Sequence, residues 1–154
     1  NPEMEKYAAR LGADCAFFIE AEPAYAEGIG DELMPVDGPK GNLNGYYLAI
    51  VKPDIAVSTK EAYAAITPTA TSKSCREIVR QPIETWKEEL VNDFEAPIFK
   101  LHPELAEIKE KLYQQGAKYA AMSGSGSALF GIFETEPNGL KEMFQDCFCE
   151  VLKL

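Results

Sequence analysis

Histidine and paired cysteines are scarce in this sequence. Its 154 residues include one histidine, His102, and four cysteines, Cys15, Cys75, Cys147 and Cys149, with no Cys-x-x-Cys spacing. Structural zinc sites draw their four ligands from closely spaced pairs of such residues, so we predict no metal site built by this chain. We expect reduced, mostly buried thiols in a cytoplasmic protein.

Positively charged residues are also few. There are 15 lysine and arginine residues against 25 aspartate and glutamate residues, which leaves a net charge of -10. A field of this sign repels phosphodiester backbones and anionic lipids, so we predict neither a nucleic-acid nor a membrane partner. No apolar run approaches the roughly 18 residues that a membrane-spanning helix needs, and the start lacks a signal-peptide layout. A nucleotide can still bind through backbone N–H groups, which act at contact distance.

Hydrophobic spacing and turn residues divide the chain into short elements. The first part is predicted to form a helix at 1–12, a buried strand at 15–19, and a strand at 25–27 that ends in a turn at Gly28 and Gly30 and continues at 33–36, followed by a loop at 37–45. The middle part is predicted to form a strand at 46–51, a helix capped by Ser58 or Thr59, a polar segment at 67–74, and a helical block from Ile83 to Phe94 that is interrupted at Pro97. The last part is predicted to form a helix from Pro103 to Gly116, strands at 117–122 and 128–133, a helix at 138–147 and a strand at 148–153. After residue 45 this order suits an α+β fold, a ferredoxin-like split βαβ domain whose antiparallel sheet carries helices on one face.

The stretch "AAMSGSGSALF" places Ser123, Gly124, Ser125 and Gly126 between apolar flanks. Glycines at alternate positions permit positive φ and let successive N–H groups point into a concavity, where an anion can sit. The tip of a β-hairpin needs the same glycines, so local sequence leaves both interpretations open. The lysine of a Walker A loop is missing after the second glycine, which excludes that motif.

Two further side chains are candidates for chemistry. Asp14 follows the first predicted helix and precedes an apolar run. It either caps a backbone or pairs with a base, or, beside a phosphate site, it accepts a hydroxyl proton or orients an attacking alcohol. Tyr63, one turn into a predicted helix, either stacks on a nucleobase or fills the core.

Four stretches together resemble the GHMP kinase superfamily, in an order and spacing that cover nearly the whole chain. They are "LGADCAFFI" (11–19), "YYLAIVKPDIAVSTKEAY" (46–63), "VNDFEAPIF" (91–99) and "GAKYAAMSGSGSALFGIF" (116–133). The resemblance implies phosphorylation of a small alcohol at the expense of ATP, with Mg2+ offsetting the phosphate charge. The first two stretches point to a cytidine diphosphate-linked methylerythritol as substrate, phosphorylated at its 2-hydroxyl in non-mevalonate isoprenoid biosynthesis.

The resemblance also implies roles for particular residues. Asp14, the aspartate of the "GAD" stretch, matches the catalytic base of the family. Tyr63 matches an aromatic residue that stacks on the cytosine, and Thr59 lies in the same substrate-binding segment. Ser123, Gly124, Ser125 and Gly126 match the third motif of the superfamily, near the phosphate and substrate region.

The chain departs from the family pattern at two points. Ala16 stands where many relatives carry proline. The main ATP loop of the family, of the type Pro-x-x-x-Gly-Leu-Gly-Ser-Ser, and its catalytic lysine are absent. The resemblance therefore implies a C-terminal portion, with the end of an N-terminal kinase domain at 1–40 and the C-terminal domain at 41–154. The partner that the resemblance implies for such a portion is the missing N-terminal kinase domain.

Two consequences and two alternatives follow from this interpretation. We expect the chain alone to lack kinase activity and to bind ATP weakly at best. We also expect Asp14 and the run 11–19 to be more exposed, or differently packed, than in a longer protein. The alternatives are another GHMP small-molecule kinase, of the homoserine, mevalonate or galactose type, and a ferredoxin-like binding module without catalysis.

Overall fold

The computed structural model describes residues 2–36, 43–67 and 73–154. Most of the predicted loop at 37–45 and of the predicted polar segment at 67–74 lies outside these residues. The helices are α1 (Pro2–Ala9), α2 (Phe17–Glu20), α3 (Thr59–Ala65), α4 (Cys75–Ile78), α5 (Trp86–Glu89), α6 (Glu95–Leu101), α7 (Pro103–Gln114) and α8 (Leu140–Met143). The strands are β1 (Ala24–Glu27), β2 (Glu32–Pro35), β3 (Tyr47–Lys52), β4 (Tyr119–Met122), β5 (Leu129–Phe133) and β6 (Phe148–Lys153), and short 3-10 turns occupy Ala13–Ala16 and Ile83–Thr85.

Four strands form one antiparallel sheet in the order β4-β5-β3-β6. Strand β3 lies inside it, with Ala49 paired to Gly131 on one side and to Val151 on the other. Because β3 and β4 both run antiparallel to β5, they point the same way with β5 between them. This is a split βαβ arrangement, and it confirms the α+β prediction.

The longer helices pack on one face of this sheet. Alternation along β4 sends Ala120 and Met122 to that face, where they join Leu105, Ile108 and Leu112 of α7. Burying a leucine fully stabilises the fold by about 1.5–3 kcal/mol relative to leaving it exposed. Pro103 begins α7 and Gly116 follows its end, as the sequence predicts.

Short helical segments add a second, smaller core on the other face. Tyr119 and Ala121, which alternate with the residues above, pack there against Ile78, Ile83 and Trp86. The Trp86 indole N–H donates to the Gln81 carbonyl over 3.2 Å. The prediction of helices on one face therefore holds for the longer helices only. The segment from α4 to α5 covers part of the opposite face.

The N-terminal part corrects one prediction. The run 15–19, predicted as a buried strand, forms a 3-10 turn followed by α2. A short apolar run does not separate helix from strand by its periodicity, and none of the described strands pairs with this run. Only Ala16 of the run is buried, whereas Phe18 is 73% exposed. Strands β1 and β2 then form the predicted hairpin, with Gly28 and Gly30 at positive φ in its turn.

Three smaller predictions change in detail. The helical block is interrupted after α5, earlier than the break predicted at Pro97. Pro97 is the third residue of α6, and a proline is tolerated there because the first N–H groups of a helix have no acceptor within the helix. The helix predicted at 138–147 shortens to α8, which Gly139 precedes in the left-handed region at φ 76°. The final strand matches its prediction within the residues 148–153.

Candidate functional site

The glycine turn, residues 123–128, joins β4 to β5. Ser123 N–H donates to the Ala128 carbonyl over 2.8 Å, and Gly126 N–H donates to the Ser123 carbonyl over 3.0 Å. Gly124 and Gly126 have φ angles of 54° and 91°, which L side chains rarely adopt. These contacts confirm that the stretch is a hairpin tip. Within the described parts of the chain, the N–H groups of Gly124 and Ser125 have no hydrogen-bond partner.

Helix α3 comes to the side of this turn. Thr59 Oγ1 lies 3.5 Å from Ser125 Oγ, which joins the predicted substrate segment to the predicted phosphate-proximal motif. The Ser127 hydroxyl, which is buried, donates to the Ile55 carbonyl over 2.5 Å, just before α3 begins. Ser58 caps the helix by accepting the Glu61 N–H over 3.3 Å. The predicted cap therefore starts α3 at Ser58, and the contacts of Thr59 and Ile55 hold its first turn beside the glycine turn.

Asn92, which also precedes the turn in the sequence, contacts the turn through its side-chain amide. Its Nδ2 donates to the Met122 carbonyl and to the Gly124 carbonyl, each over 2.8 Å. Its Oδ1 accepts the Phe94 N–H over 3.0 Å. One side-chain amide thus uses both of its N–H groups and its oxygen on three backbone groups.

Glu95 is a buried carboxylate behind the turn, 7% exposed. Its Oε1 accepts the Met122 N–H over 2.8 Å, and its Oε2 lies 2.6 Å from Lys109 Nζ. A buried charge needs such partners, since an unpaired carboxylate in the interior costs several kcal/mol. Sequence reasoning attached no role to Asn92 or Glu95, although both lie in the stretch "VNDFEAPIF".

Tyr63 and Phe94 form an aromatic pair beside these contacts. Their ring centroids lie 4.9 Å apart at an interplanar angle of 83°, an edge-to-face contact. Tyr63 is 65% exposed, so much of its ring is open to solvent. Because Thr59 and Tyr63 are four residues apart in α3, they lie on one face of the helix.

Asp14 lies apart from this group in its contacts. It sits in the 3-10 turn at Ala13–Ala16, exposed, with Oδ1 2.9 Å from the position that a Cβ on Gly30 would take. Gly30, in the turn between β1 and β2, thus leaves room for the carboxylate. No hydrogen bond joins Asp14 to Thr59, Tyr63 or the glycine turn within the described residues. The adjoining Leu11 is 86% exposed.

A groove of about 800 Å³ opens between the end of α3 and the length of α6. Ala65 and Thr67 line one side, and Asn92, Glu95 and Lys109 contribute to the other. The groove and the glycine turn therefore share Asn92 and Glu95 as a common wall.

Two tyrosines contact the backbone around the edge strand β4; Tyr119 is buried and Tyr113 is half-buried. Burial, with a smaller contribution from the Glu95 carboxylate, raises the pKa of Tyr119, whose hydroxyl donates to the Leu90 carbonyl over 2.8 Å. Burial likewise raises the pKa of Tyr113, whose hydroxyl donates to the Ala120 carbonyl over 3.2 Å. Both hydroxyls stay protonated at neutral pH.

Metal ligands and thiols complete the inventory of reactive groups. The described parts of the chain hold no group of three or more His, Cys, Asp or Glu side chains suited to a metal ion. The four cysteines are free thiols; Cys149 is buried, Cys15 and Cys147 are half-buried, and Cys75 is exposed, so the prediction of mostly buried thiols is too strong. Burial raises the pKa of Cys147 and Cys149. No described helix has the length and apolar content needed to cross a bilayer.

Comparison with known proteins identifies the class. Residues 75–148 match the family model described as GHMP kinases C terminal. Over these residues the chain carries the C-terminal domain of the GHMP kinase family.

Two curated relatives narrow the comparison to one kinase. The chain is 52% identical over 148 residues to the 4-diphosphocytidyl-2-C-methyl-D-erythritol kinase of Parabacteroides distasonis, covering 95% of this chain and 53% of the relative. It is 50% identical over 149 residues to the Bacteroides fragilis enzyme of the same name, covering 97% and 53%. The chain therefore spans about half the length of the curated relatives it matches. Together with the C-terminal family model, this confirms the prediction of a C-terminal portion.

A solved structure agrees in fold. A crystal structure of 4-(cytidine 5'-diphospho)-2C-methyl-D-erythritol kinase superposes with a TM-score of 0.74 at 25% sequence identity. The match covers 98% of this chain and 57% of that protein.

Proposed function

We propose that this chain forms the C-terminal portion of an ATP-dependent 4-diphosphocytidyl-2-C-methyl-D-erythritol kinase, which phosphorylates the 2-hydroxyl of its substrate in isoprenoid biosynthesis. The observation that carries the proposal is the approach of Thr59 Oγ1 to Ser125 Oγ, with the exposed Tyr63 ring on the same face of α3. One surface then offers a flat aromatic ring for a base and hydrogen-bond donors for phosphate oxygens.

The glycine turn suits the phosphate end of such a substrate. The N–H groups of Gly124 and Ser125, which have no partner among the described residues, and the Ser125 hydroxyl can donate to phosphate oxygens at contact distance. At that distance the net negative charge of the chain has little weight. The turn itself supplies only serine, glycine and alanine, so it has no carboxylate for Mg2+. We therefore place the residues that hold ATP and Mg2+ in the longer protein.

Tyr63 and Thr59 act on the substrate in this proposal. The exposed ring of Tyr63 stacks on the cytosine, with Phe94 supporting it edge-on. Thr59 orients the substrate beside Ser125. Positioning of this kind accounts for much of the rate of phosphoryl transfer, because little covalent chemistry falls to the protein.

Asp14 has the role of base. Its carboxylate accepts the proton that the 2-hydroxyl loses as the oxygen bonds to phosphorus, or orients that hydroxyl for attack. ATP, when bound, supplies the phosphoryl group and leaves as ADP, with Mg2+ neutralising charge. The exposure of Asp14 and of Leu11 supports a further proposal, that the part of the longer protein absent from this chain covers this surface.

The domain boundary and the location of the protein are parts of the same proposal. We assign residues 1–40 to the end of an N-terminal kinase domain and residues 41–154 to the C-terminal domain. The separation of the β1–β2 hairpin from the four-stranded sheet supports this division. We place the protein in the cytoplasm, with no nucleic-acid or membrane partner, in keeping with its net charge of -10.

The test is phosphorylation by the full-length protein. It is offered ATP, Mg2+ and, separately, 4-diphosphocytidyl-2-C-methyl-D-erythritol, homoserine, mevalonate and galactose, and ADP release is measured. We expect turnover of the cytidine substrate alone and its loss in Asp14→Asn. Turnover of another alcohol in its place overturns the proposed substrate, and no turnover of any of them favours a binding module. The 154-residue chain alone is expected to be inactive.

A further inference from the structure

We propose that Asn92 and Glu95 are positioning residues, which set the glycine turn against Thr59 and the Tyr63–Phe94 pair. This inference rests on the proposed function, and it adds two residues for which neither the motifs nor the comparisons supply a role. Neither side chain is placed against the substrate; each acts through the backbone of β4 and the glycine turn.

The chemistry of Asn92 fits this task closely. Two carbonyls, of Met122 and Gly124, need donors, and the Phe94 N–H needs an acceptor. The asparagine side chain supplies both N–H donors and the acceptor oxygen. Aspartate of the same length has no donor, and leucine has neither a donor nor an acceptor. Because Phe94 supports Tyr63, the single amide ties the base-stacking side of the site to its phosphate side.

Glu95 secures the same point of the backbone. Met122 is the last residue of β4, which lies at the edge of the sheet. Its N–H is bonded by Glu95 and its C=O by Asn92, so two side chains take the place of a neighbouring strand at this residue. Lys109 holds the other oxygen of Glu95 from α7 and thereby fixes the direction of the carboxylate.

The position of the turn decides which groups reach a ligand. Ser125 Oγ is 3.5 Å from Thr59, at the outer limit of a hydrogen bond, so a small shift of the turn breaks the contact. The free N–H groups of Gly124 and Ser125 move with it. A displacement of about 1 Å at a reacting group can lower a rate by about 100-fold.

The experiment compares Asn92→Asp with Asn138→Asp in the full-length protein. Both change one amide to a carboxylate, and Asn138 is exposed and has no hydrogen bond among the described residues. We expect Asn92→Asp to lower kcat by about 10- to 100-fold, with a smaller change in KM for the cytidine substrate. Asn138→Asp should match the unsubstituted enzyme.

A second pair of variants tests Glu95 independently. Glu95→Gln keeps an oxygen for the Met122 N–H but loses the ion pair with Lys109. Glu150→Gln removes the carboxylate charge from a comparable ion pair, the exposed pair with Lys141. We expect faster amide hydrogen exchange in Glu95→Gln at Met122, Ser123 and Gly126, whose N–H groups are hydrogen-bonded. Exchange in α7 should stay unchanged, and Glu150→Gln should have no effect.

The outcomes separate the two proposals. If the unsubstituted protein does not phosphorylate the cytidine substrate, the proposed function fails whatever the variants do. If it does, and Asn92→Asp and Glu95→Gln match their controls in kcat and in exchange, the positioning role is overturned. Should Asn92→Asp not fold, Asn92→Ser, which keeps one donor, is measured in its place against the same two criteria.

Discussion

Thr59 Oγ1 and Ser125 Oγ lie 3.5 Å apart although 66 residues separate them in the sequence. The contact joins the first turn of α3 to the glycine turn between β4 and β5. Thr59 is exposed and Ser125 is half-buried. A contact at this distance between accessible hydroxyls contributes little to stability, so its importance lies in where it holds the two groups for a ligand.

Replacing Ser125 tests that importance. We expect Ser125→Ala to lower kcat/KM of the full-length protein for the cytidine substrate by about 3- to 10-fold, the effect of losing one hydrogen bond. The melting temperature should stay the same because the hydroxyl is not buried. Thr135→Ala, at an exposed threonine after β5 whose side chain makes no hydrogen bond among the described residues, is the control. Equal effects of the two substitutions would contradict a special role for Ser125.

Replacing Tyr63 tests the stacking surface. Stacking of a base on an aromatic ring contributes about 1–3 kcal/mol, so Tyr63→Ala should weaken binding of cytidine diphosphate by about 5- to 150-fold. Tyr63→Phe keeps the ring and should bind nearly as well. The measurement is isothermal titration calorimetry on the full-length protein.

Tyr7→Ala provides the comparison for Tyr63→Ala. The two side chains are exposed to almost the same degree, 67% and 65%, but Tyr7 lies in α1. Its loss should leave binding of cytidine diphosphate unchanged. If Tyr63→Ala binds as tightly as Tyr7→Ala, the base lies elsewhere.

The sequence allows local features of the fold to be predicted well. Strands β4 and β5 alternate between two buried faces and flank two glycines, so the hairpin follows from neighbouring residues alone. Pro103 and Gly116 mark the limits of α7 in the same way. The run 15–19 is different, because an apolar segment of five residues suits a strand or a helix until its tertiary neighbours are known.

The site is harder to predict because its contacts are remote in sequence. Asn92 reaches Met122 and Gly124 across 30 and 32 residues. No local pattern distinguishes it from an ordinary polar residue before a helix. Glu95 resembles a first-turn acidic residue of α6, and only its burial beside Lys109 reveals a second use. Thr59, Tyr63 and the glycine turn, by contrast, could be proposed from family resemblance.

Substitutions at Gly124 and Gly126 separate two costs of a side chain in the glycine turn: backbone strain at positive φ and overlap with a neighbouring side chain. Both have positive φ, but a Cβ on Gly124 meets open space, whereas one on Gly126 lies 2.8 Å from Met122 Sδ. Since Met122 is 2% exposed, it has little room to move. We expect Gly124→Ala to cost about 1–2 kcal/mol of unfolding free energy and Gly126→Ala about 2–4 kcal/mol. Urea denaturation of the 154-residue chain measures both, and equal costs would show that Met122 yields freely.

Tyr119 makes stability depend on pH in the alkaline range. Burial raises its pKa in the folded state, whereas in the unfolded chain it ionises near the ordinary value of about 10. Above that pH the unfolded state has lost the phenolic proton and the folded state still holds it. The unfolded state therefore binds fewer protons, and the free energy of unfolding falls as pH rises from about 10 towards the folded-state pKa.

The substitution Tyr119→Phe isolates this contribution. It removes the hydrogen bond to the Leu90 carbonyl, so we expect a loss of about 1 kcal/mol at pH 8. Between pH 9 and 11 its free energy of unfolding should decline less than that of the unsubstituted chain, although Tyr113 still contributes in the same direction. Tyr7→Phe, at an exposed tyrosine, should reproduce the unsubstituted curve. Parallel curves for Tyr119→Phe and the unsubstituted chain would mean that Tyr119 ionises as readily folded as unfolded, and that its hydroxyl is not buried against Leu90.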